Sequence, residues 1–248
     1  MIKLTSTVLF FLFCISGALA APVAPSVSSG IEPGVVFRIF NNHDSFSLMA
    51  EGTAENETDA RNFKEVTLGG YYQVLDHLKL GAFVREAYGL RHDDDWFSNN
   101  GSWQWANTDA RGESFVILDV TPRTLLTDEW LAEIKMRYLY DLFNNEKTLL
   151  MRPGMTYFLL DGGQPYWNFF AQVEMDFPLN YSAAKVNEEW IYVGALNRIA
   201  KDLDVGGFVA EKWQAWTSSQ DYLAKAGAPY TNTAQSTVIS AILVYQFE

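Results

Sequence analysis

The sequence predicts an all-β fold: a transmembrane, antiparallel, up-and-down β-barrel of about ten strands, within a range of roughly eight to twelve. Three observations carry this expectation. Apolar and polar residues alternate over segments of about 10–14 residues. The connections between segments alternate between tight turns and long loops. Tryptophans gather at segment ends, where amphipathic rings suit a boundary between a dry and a wet medium.

Taken in order, the chain opens with the pattern of a secretory signal over residues 1–20. Lys3 is its basic region, Val8–Ile15 its apolar region, and Ala18–Ala21 its small-residue cleavage site. The apolar run is too short for a spanning helix, the alternative reading of such an N-terminus. Cys14, the one cysteine of the chain, lies inside this segment, so the exported part has neither a disulfide framework nor a thiolate metal site. The net charge is −12 over 248 residues, and no basic stripe appears, which argues against nucleic acid as a partner. Residues 21–33 are rich in Pro and Ser and read as a linker before a single barrel domain over residues 34–248.

Strands are expected at residues 45–53, 63–75, 78–91, 112–124, 130–143, 147–160, 166–179, 188–199, 204–217 and 236–247. In the fifth, Trp130, Ala132, Ile134, Met136, Tyr138 and Tyr140 share one face, and Glu133, Lys135, Arg137 and Asp141 share the other. The period of two follows from the pleat, which sends successive side chains to opposite faces. Gly34–Phe40 is also strand-like, and Asn41–Asp44 could form a turn. A strand there would raise the count to eleven, but barrels of one bacterial chain usually have an even number, which favours ten. Ten strands would bring both ends of the sheet to the rim of short turns.

Alternation alone does not say which face meets the core. A soluble, lipocalin-like barrel would bury the apolar face. Strand length favours lipid, because soluble strands average about 5–6 residues and bilayer-crossing strands need about 9–11. The placement of Trp130, Trp167, Trp190, Trp213 and Trp216 suits an aromatic girdle. The charged face would then line the lumen, as a network of Asp119, Arg123, Glu133, Lys135, Arg137, Arg152, Glu174 and Asp176. Estimated registers set Asp119 opposite Lys135, Arg137 beside Arg152, and Arg152 opposite Glu174. Charges removed from bulk water need such partners.

With the signal, the alternating strands, the terminal tryptophans and the last strand "TVISAILVYQFE" in view, the chain resembles bacterial outer-membrane β-barrel proteins as a class. Ile239, Ala241, Leu243, Tyr245 and Phe247 line one face of that strand, as in the C-terminal assembly signal of such proteins, although Phe247 is penultimate. The resemblance implies a monomer in the outer membrane of a Gram-negative cell. Its partners would be membrane lipid, lipopolysaccharide, and the assembly machinery that reads the last strand. It implies no cofactor and no catalytic residue, and fold alone does not license a function.

Three further features carry candidate chemistry. His92 with Asp93, Asp94 and Asp95 could hold a divalent cation or belong to a hydrolytic rim site, but a solvated acidic loop is favoured. Outer-membrane proteases of the omptin type place Asp and His at that rim, and no second paired motif of theirs is found here. The loop Trp96–Glu113 carries three tryptophans among amides and small residues. It reads as a sugar-contacting platform or, more simply, as a loop packed on itself or resting at the interface. A bore of about ten strands lies near the side-chain-filled end of the range, and lumenal Phe83, Phe115, Phe158, Phe170 and Phe208 would narrow it. A narrow solute path or a plugged barrel remain, and a wide porin does not.

One internal likeness stands out. Val66–Tyr88 and Ile191–Trp213 match at a spacing of 125 residues, including Gly69 with Gly194 and Glu86 with Glu211. Duplication and shared bilayer demands both explain it. Each glutamate falls on the nominal lipid face at about 20 Å along the axis, near the edge of an apolar band about 25 Å tall.

Overall fold

The computed structural model describes residues 30–56, 62–88, 96–99, 102–105, 112–143, 145–180, 186, 188–217 and 231–247. The expected signal segment lies outside these residues. The described residues form thirteen strands and no helix. They are β1 (Ile31–His43), β2 (Phe46–Asn56), β3 (Asn62–Leu75), β4 (Leu78–Tyr88), β5 (Trp96–Asn99), β6 (Ser102–Trp105), β7 (Gly112–Leu125), β8 (Trp130–Asp141), β9 (Lys147–Asp161), β10 (Gln164–Pro178), β11 (Glu188–Ala200), β12 (Leu203–Thr217) and β13 (Thr231–Phe247).

Eleven of these strands close into one barrel in the order β1-β13-β12-β11-β10-β9-β8-β7-β4-β3-β2. The remaining two, β5 and β6, pair with each other inside the tryptophan-rich stretch that was expected to be a loop. The ten expected strands correspond to β2–β4 and β7–β13, and the eleventh is β1. It starts at Ile31, three residues inside the expected linker. Its alternation, with Val36 buried between exposed Val35 and Phe37, is that of a wall strand. A tight turn at Asp44–Ser45 separates it from β2, and Asp44 takes a left-handed φ of 42°, a conformation that Asp tolerates better than most residues.

The odd count is resolved at the seam. Each antiparallel step reverses the chain, so the first and last of eleven strands run the same way. β1 accordingly pairs in parallel with β13, from Ile31 against Thr237 to Asn41 against Phe247. The expectation that both ends of the sheet share the short-turn rim is therefore corrected. Phe247 ends there, beside the turns at Asp44–Ser45, Asp76–His77, Gly162–Gly163 and Lys201–Asp202. Ile31 begins at the opposite rim, with the long connections. At Gly162–Gly163 both φ values are positive, 57° and 81°, as the mirror-image turn of a two-residue hairpin requires.

The two matching hairpins, β3–β4 and β11–β12, share more than sequence. Each has its register irregularity at the same place, between Gln73 and Leu75 and between Arg198 and Ala200. Gly69 faces Phe83 across one pair, and Gly194 faces Phe208 across the other. At each glycine an added Cβ would meet a phenyl ring and the backbone of the facing strand: the Phe83 ring and Ala82 O at Gly69, and the Phe170 ring and Gly207 O at Gly194. Such a match in register follows from one hairpin solution used twice.

Which face points inward is clear from burial. In β4, Phe83 and Arg85 are buried while Leu80 and Val84 are exposed. In β8, Arg137 and Leu139 are buried and Ile134 is exposed. Among the described residues, more large hydrophobic side chains are exposed than buried, a reversal of the pattern of a water-soluble domain.

Candidate functional site: a filled and charged lumen

The inner wall is built from residues of one parity in each strand, and it holds both an apolar plug and a set of ion pairs. Met49, Tyr71, Phe83, Ile117, Leu139 and Leu150 form one buried cluster, with Phe40 and Phe115 packed against it. Val36, Ile242 and Val244 form a second, against which Phe40, Phe170, Leu196 and Phe208 pack. Phe40 touches both, so the plug runs from one wall to the other. Phe83, Phe115, Phe170 and Phe208 thus fill the bore as the sequence suggests, and Phe158 occupies an inward register position opposite Asn168.

The structure brings together two pairs from the expected lumenal network. Arg137 Nε donates to Asp119 Oδ2 at 2.9 Å, and Thr121 Oγ1 donates to Asp119 Oδ1 at 2.7 Å. Both members of the pair are almost wholly buried. Arg137 Nη2 also reaches the Tyr71 hydroxyl at 3.4 Å, three strands away, which ties β8 to β3 through the lumen. Arg152 pairs with Glu174, which also accepts from the Tyr192 hydroxyl at 3.3 Å. The guanidinium of Arg152 lies 5.6 Å from the centre of the Tyr192 ring.

Two expected juxtapositions are corrected. Asp119 faces Arg137, not Lys135, and Lys135 rather than Arg137 faces Arg152. In each case the register is displaced by two residues, forward across the first connection and back across the second. Leu125 pairs with Leu131 beyond a turn in which Leu126 N–H donates to Trp130 O. Tyr140 pairs with Lys147 beyond a turn in which Asn145 takes a left-handed φ of 59°. A register error of two keeps every face and changes every partner, because the pleat repeats every two residues. Glu133 is the register partner of Arg123, but Arg123 donates instead to Gln73 Oε1 at 2.7 Å. Asp176 lies two residues beyond Glu174 on the same face and opposite Leu150.

Other ion pairs were not legible from the sequence. Arg38 binds Glu51. Arg85 binds Glu65 at 3.3 Å and Thr67 Oγ1 at 3.3 Å. Arg198 and Asp204 form a two-bond pair at 2.9 and 3.3 Å. Lys212 Nζ stands 3.5 Å from Glu32 and 3.9 Å from Glu55, reaching across the seam from β12 to β1 and β2. Glu32 and Arg38 belong to the strand left out of the count, so their facing was never assigned. Carboxylates gather toward the long connections, with Glu32, Glu55, Glu65, Glu174, Asp176 and Glu188 in that half of the wall.

Trp190 departs from the expected girdle. It is the third residue of β11, faces inward and is buried. Its ring stacks on Tyr192 at 5.2 Å and lies 5.0 Å from Lys212 Nζ, while its Nε1–H donates to Glu188. An indole can sit in this half-polar interior because its one donor is satisfied and its face attracts a cation. Trp130 and Trp167 do lie on the outer wall at the short-turn rim, in a chain of rings with Tyr157 and Phe169 at centroid distances of 5.0–6.4 Å. Trp213 takes an outward register position near the other rim, opposite Glu189. The side chain of Trp216 lies outside the described residues, as do His92, Asp93, Asp94 and Asp95.

Glu86 and Glu211 both project from the outer wall toward the long-connection rim. Ser114 Oγ donates to Glu86 at 2.6 Å, and Thr237 Oγ1 donates to Glu211 at 2.7 Å, so each carboxylate has a hydroxyl from the next strand.

The fold and this interior define a class: a closed β-barrel with an apolar exterior and a side-chain-filled, ion-paired lumen. No protein-family model matches the chain, and no curated protein matches it in sequence.

Proposed function

We propose that the chain is an outer-membrane β-barrel protein whose wall spans the bilayer, whose lumen is held shut by side chains, and whose long connections are presented on the outer side. The outer wall carries this reading. Leu68, Val84, Leu118, Ile134, Met155, Phe169, Val193, Val209 and Ile239 lie exposed on successive strands from β3 round to β13, a continuous apolar belt far larger than a soluble monomer leaves open to water. Aromatic rings bound the belt at the short-turn rim, where Trp130, Tyr157, Phe169, Tyr245 and Phe247 lie. Tyr88 and the hydrogen-bonded Glu86 and Glu211 stand toward the other edge. This is the depth profile a bilayer selects.

The plug supports a structural or surface-presenting role over a narrow solute path. A path would have to pass Phe40 and the Asp119–Arg137 pair. Fractionation of cells without detergent tests the location. Recovery in the outer membrane, with a folded band that shifts in mobility on boiling, is expected. Recovery of folded protein in the soluble periplasmic fraction would replace this reading with an exported soluble barrel. Planar-bilayer recording tests the closure: no defined steps are expected, and defined steps altered by Arg137→Met or Arg152→Met would establish a path.

A further inference from the structure

Most cations of the inner wall have a carboxylate. Arg38, Arg85, Arg137, Arg152, Arg198 and Lys212 are each held by at least one acid. Lys79, Arg123 and Lys135 are the exceptions among the described residues, and they sit together. They come from the adjacent strands β4, β7 and β8 near the short-turn mouth of the lumen. Their contacts are with neutral groups. Lys79 Nζ is 4.5 Å from the centre of the Tyr71 ring, and Lys135 Nζ is 5.8 Å from the same ring. Arg123 donates to the neutral amide oxygen of Gln73 at 2.7 Å. Lys79 lies within electrostatic range of both Lys135 and Arg123, and also of Tyr71 and of Glu133, the cross-strand partner of Arg123. Asp119, the next carboxylate on this wall, is taken up by Arg137 and Thr121. Three cations that repel one another, set in a partly dry bore, share one nearby carboxylate among the described residues, Glu133, and so remain short of counter-charge.

We infer that this collar is a binding site for a small inorganic oxyanion of the phosphate or sulfate class, held between Lys79, Arg123 and Lys135. Ammonium and guanidinium groups offer several N–H donors pointing from different directions. An anion with several oxygens satisfies them at once, where a single-atom anion cannot. The aromatic floor supplied by Tyr71, fixed from beneath by Arg137, keeps both ammonium groups aimed into the bore. The site depends on the inner wall alone and stands whether or not the outer wall meets lipid.

The test is calorimetric titration of the folded, full-length barrel in detergent with inorganic phosphate, against chloride at matched ionic strength. Wild type is expected to bind phosphate saturably, near one per barrel, with a matching rise in Tm. Lys79→Gln/Lys135→Gln is expected to weaken binding by roughly 100-fold, about tenfold for each ammonium group removed from the anion. Lys64→Gln, on the outer wall, is expected to leave it unchanged. In phosphate-free buffer the double variant, relieved of repulsion, is expected to melt no lower than wild type. If it fails to fold, Arg123→Gln takes its place with the same expected loss. A wild-type response no larger than that to chloride, or unchanged binding in these variants, overturns the proposal.

Discussion

Asp119 is the place to test whether ion pairing holds the lumen together. Its carboxylate accepts from Arg137 and from Thr121 inside the barrel, and the guanidinium also has the Tyr71 hydroxyl and, 5.6 Å away, the centre of the Phe83 ring. Replacing Asp119 with Ala leaves an arginine charge buried against these neutral groups. Breaking such a pair costs about 3–5 kcal/mol, most of it the desolvation of the charge left behind. Arg137→Met strands the carboxylate in the same way and is expected to cost about 3 kcal/mol. The double variant removes both charges and is expected to lose only about 1–2 kcal/mol, which gives a coupling of about 4–7 kcal/mol. Urea unfolding of the detergent-folded barrel, followed by tryptophan fluorescence, reads these values. At an m of about 2–3 kcal/mol/M, each single variant moves the midpoint down by roughly 1–2 M. Arg198 and Asp204 form a useful contrast. That arginine side chain is 30% exposed, so breaking the pair is expected to cost no more than about 1 kcal/mol. If the double variant loses the sum of the two single losses, or if Asp119→Ala costs no more than Asp204→Ala, the pair is not what secures the lumen.

Three further outcomes follow from the wall. Leu118→Arg, on the outer face of β7, is expected to cost about 2–4 kcal/mol and to depress folding into vesicles, while Ser114→Arg at the rim is expected to cost about 1 or less; equal costs would speak against a bilayer around this wall. Gly69→Ala is expected to lose about 1–3 kcal/mol, because the added Cβ meets the Ala82 carbonyl oxygen and the Phe83 backbone as well as the Phe83 ring, so Phe83→Ala in the same chain should recover little of that loss in a double-mutant cycle. Trp190→Phe is expected to cost about 1–3 kcal/mol, because it leaves Glu188 short of a donor inside the barrel, while Trp130→Phe on the outer wall should cost less than about 1 kcal/mol; the reverse order would place the two rings wrongly.

The strands were legible because the pleat writes itself into the sequence. Leu78 to Tyr88 and Trp130 to Asp141 show a period of two that reads the same with or without a structure, and the faces assigned to them are the faces they have. Partners were less legible. The registers across the turns after Leu125 and Tyr140 are each displaced by two residues, in opposite senses, which leaves Arg137 pointing inward but hands it Asp119. Parity cannot reveal such a slip, and only turn geometry fixes it. Trp190 shows a second limit. A tryptophan close to a strand end suits an interfacial girdle by position, yet parity with Glu188 and Tyr192 puts it inside. The signal was available in the spacing of those three residues. The cluster of Lys79, Arg123 and Lys135 was out of reach in another way, since it draws on three strands and depends on which acids the other cations had already taken.

The parallel seam also decides what can be done with the chain as an object. In a barrel whose first and last strands are antiparallel, the two ends meet and a short linker can join them. Here Ile31 and Phe247 lie at opposite ends of the cylinder. The thirteen residues of β1 separate the two rims by about 40 Å along the strand at ~3.3 Å per residue. A circular permutant would need a bridge of at least about 12 extended residues running the length of the wall. A reporter fused ahead of Ile31 and another fused after Phe247 would look out from opposite mouths. In a membrane they would answer to reagents on different sides, so a pair of such fusions makes the direction of insertion directly readable.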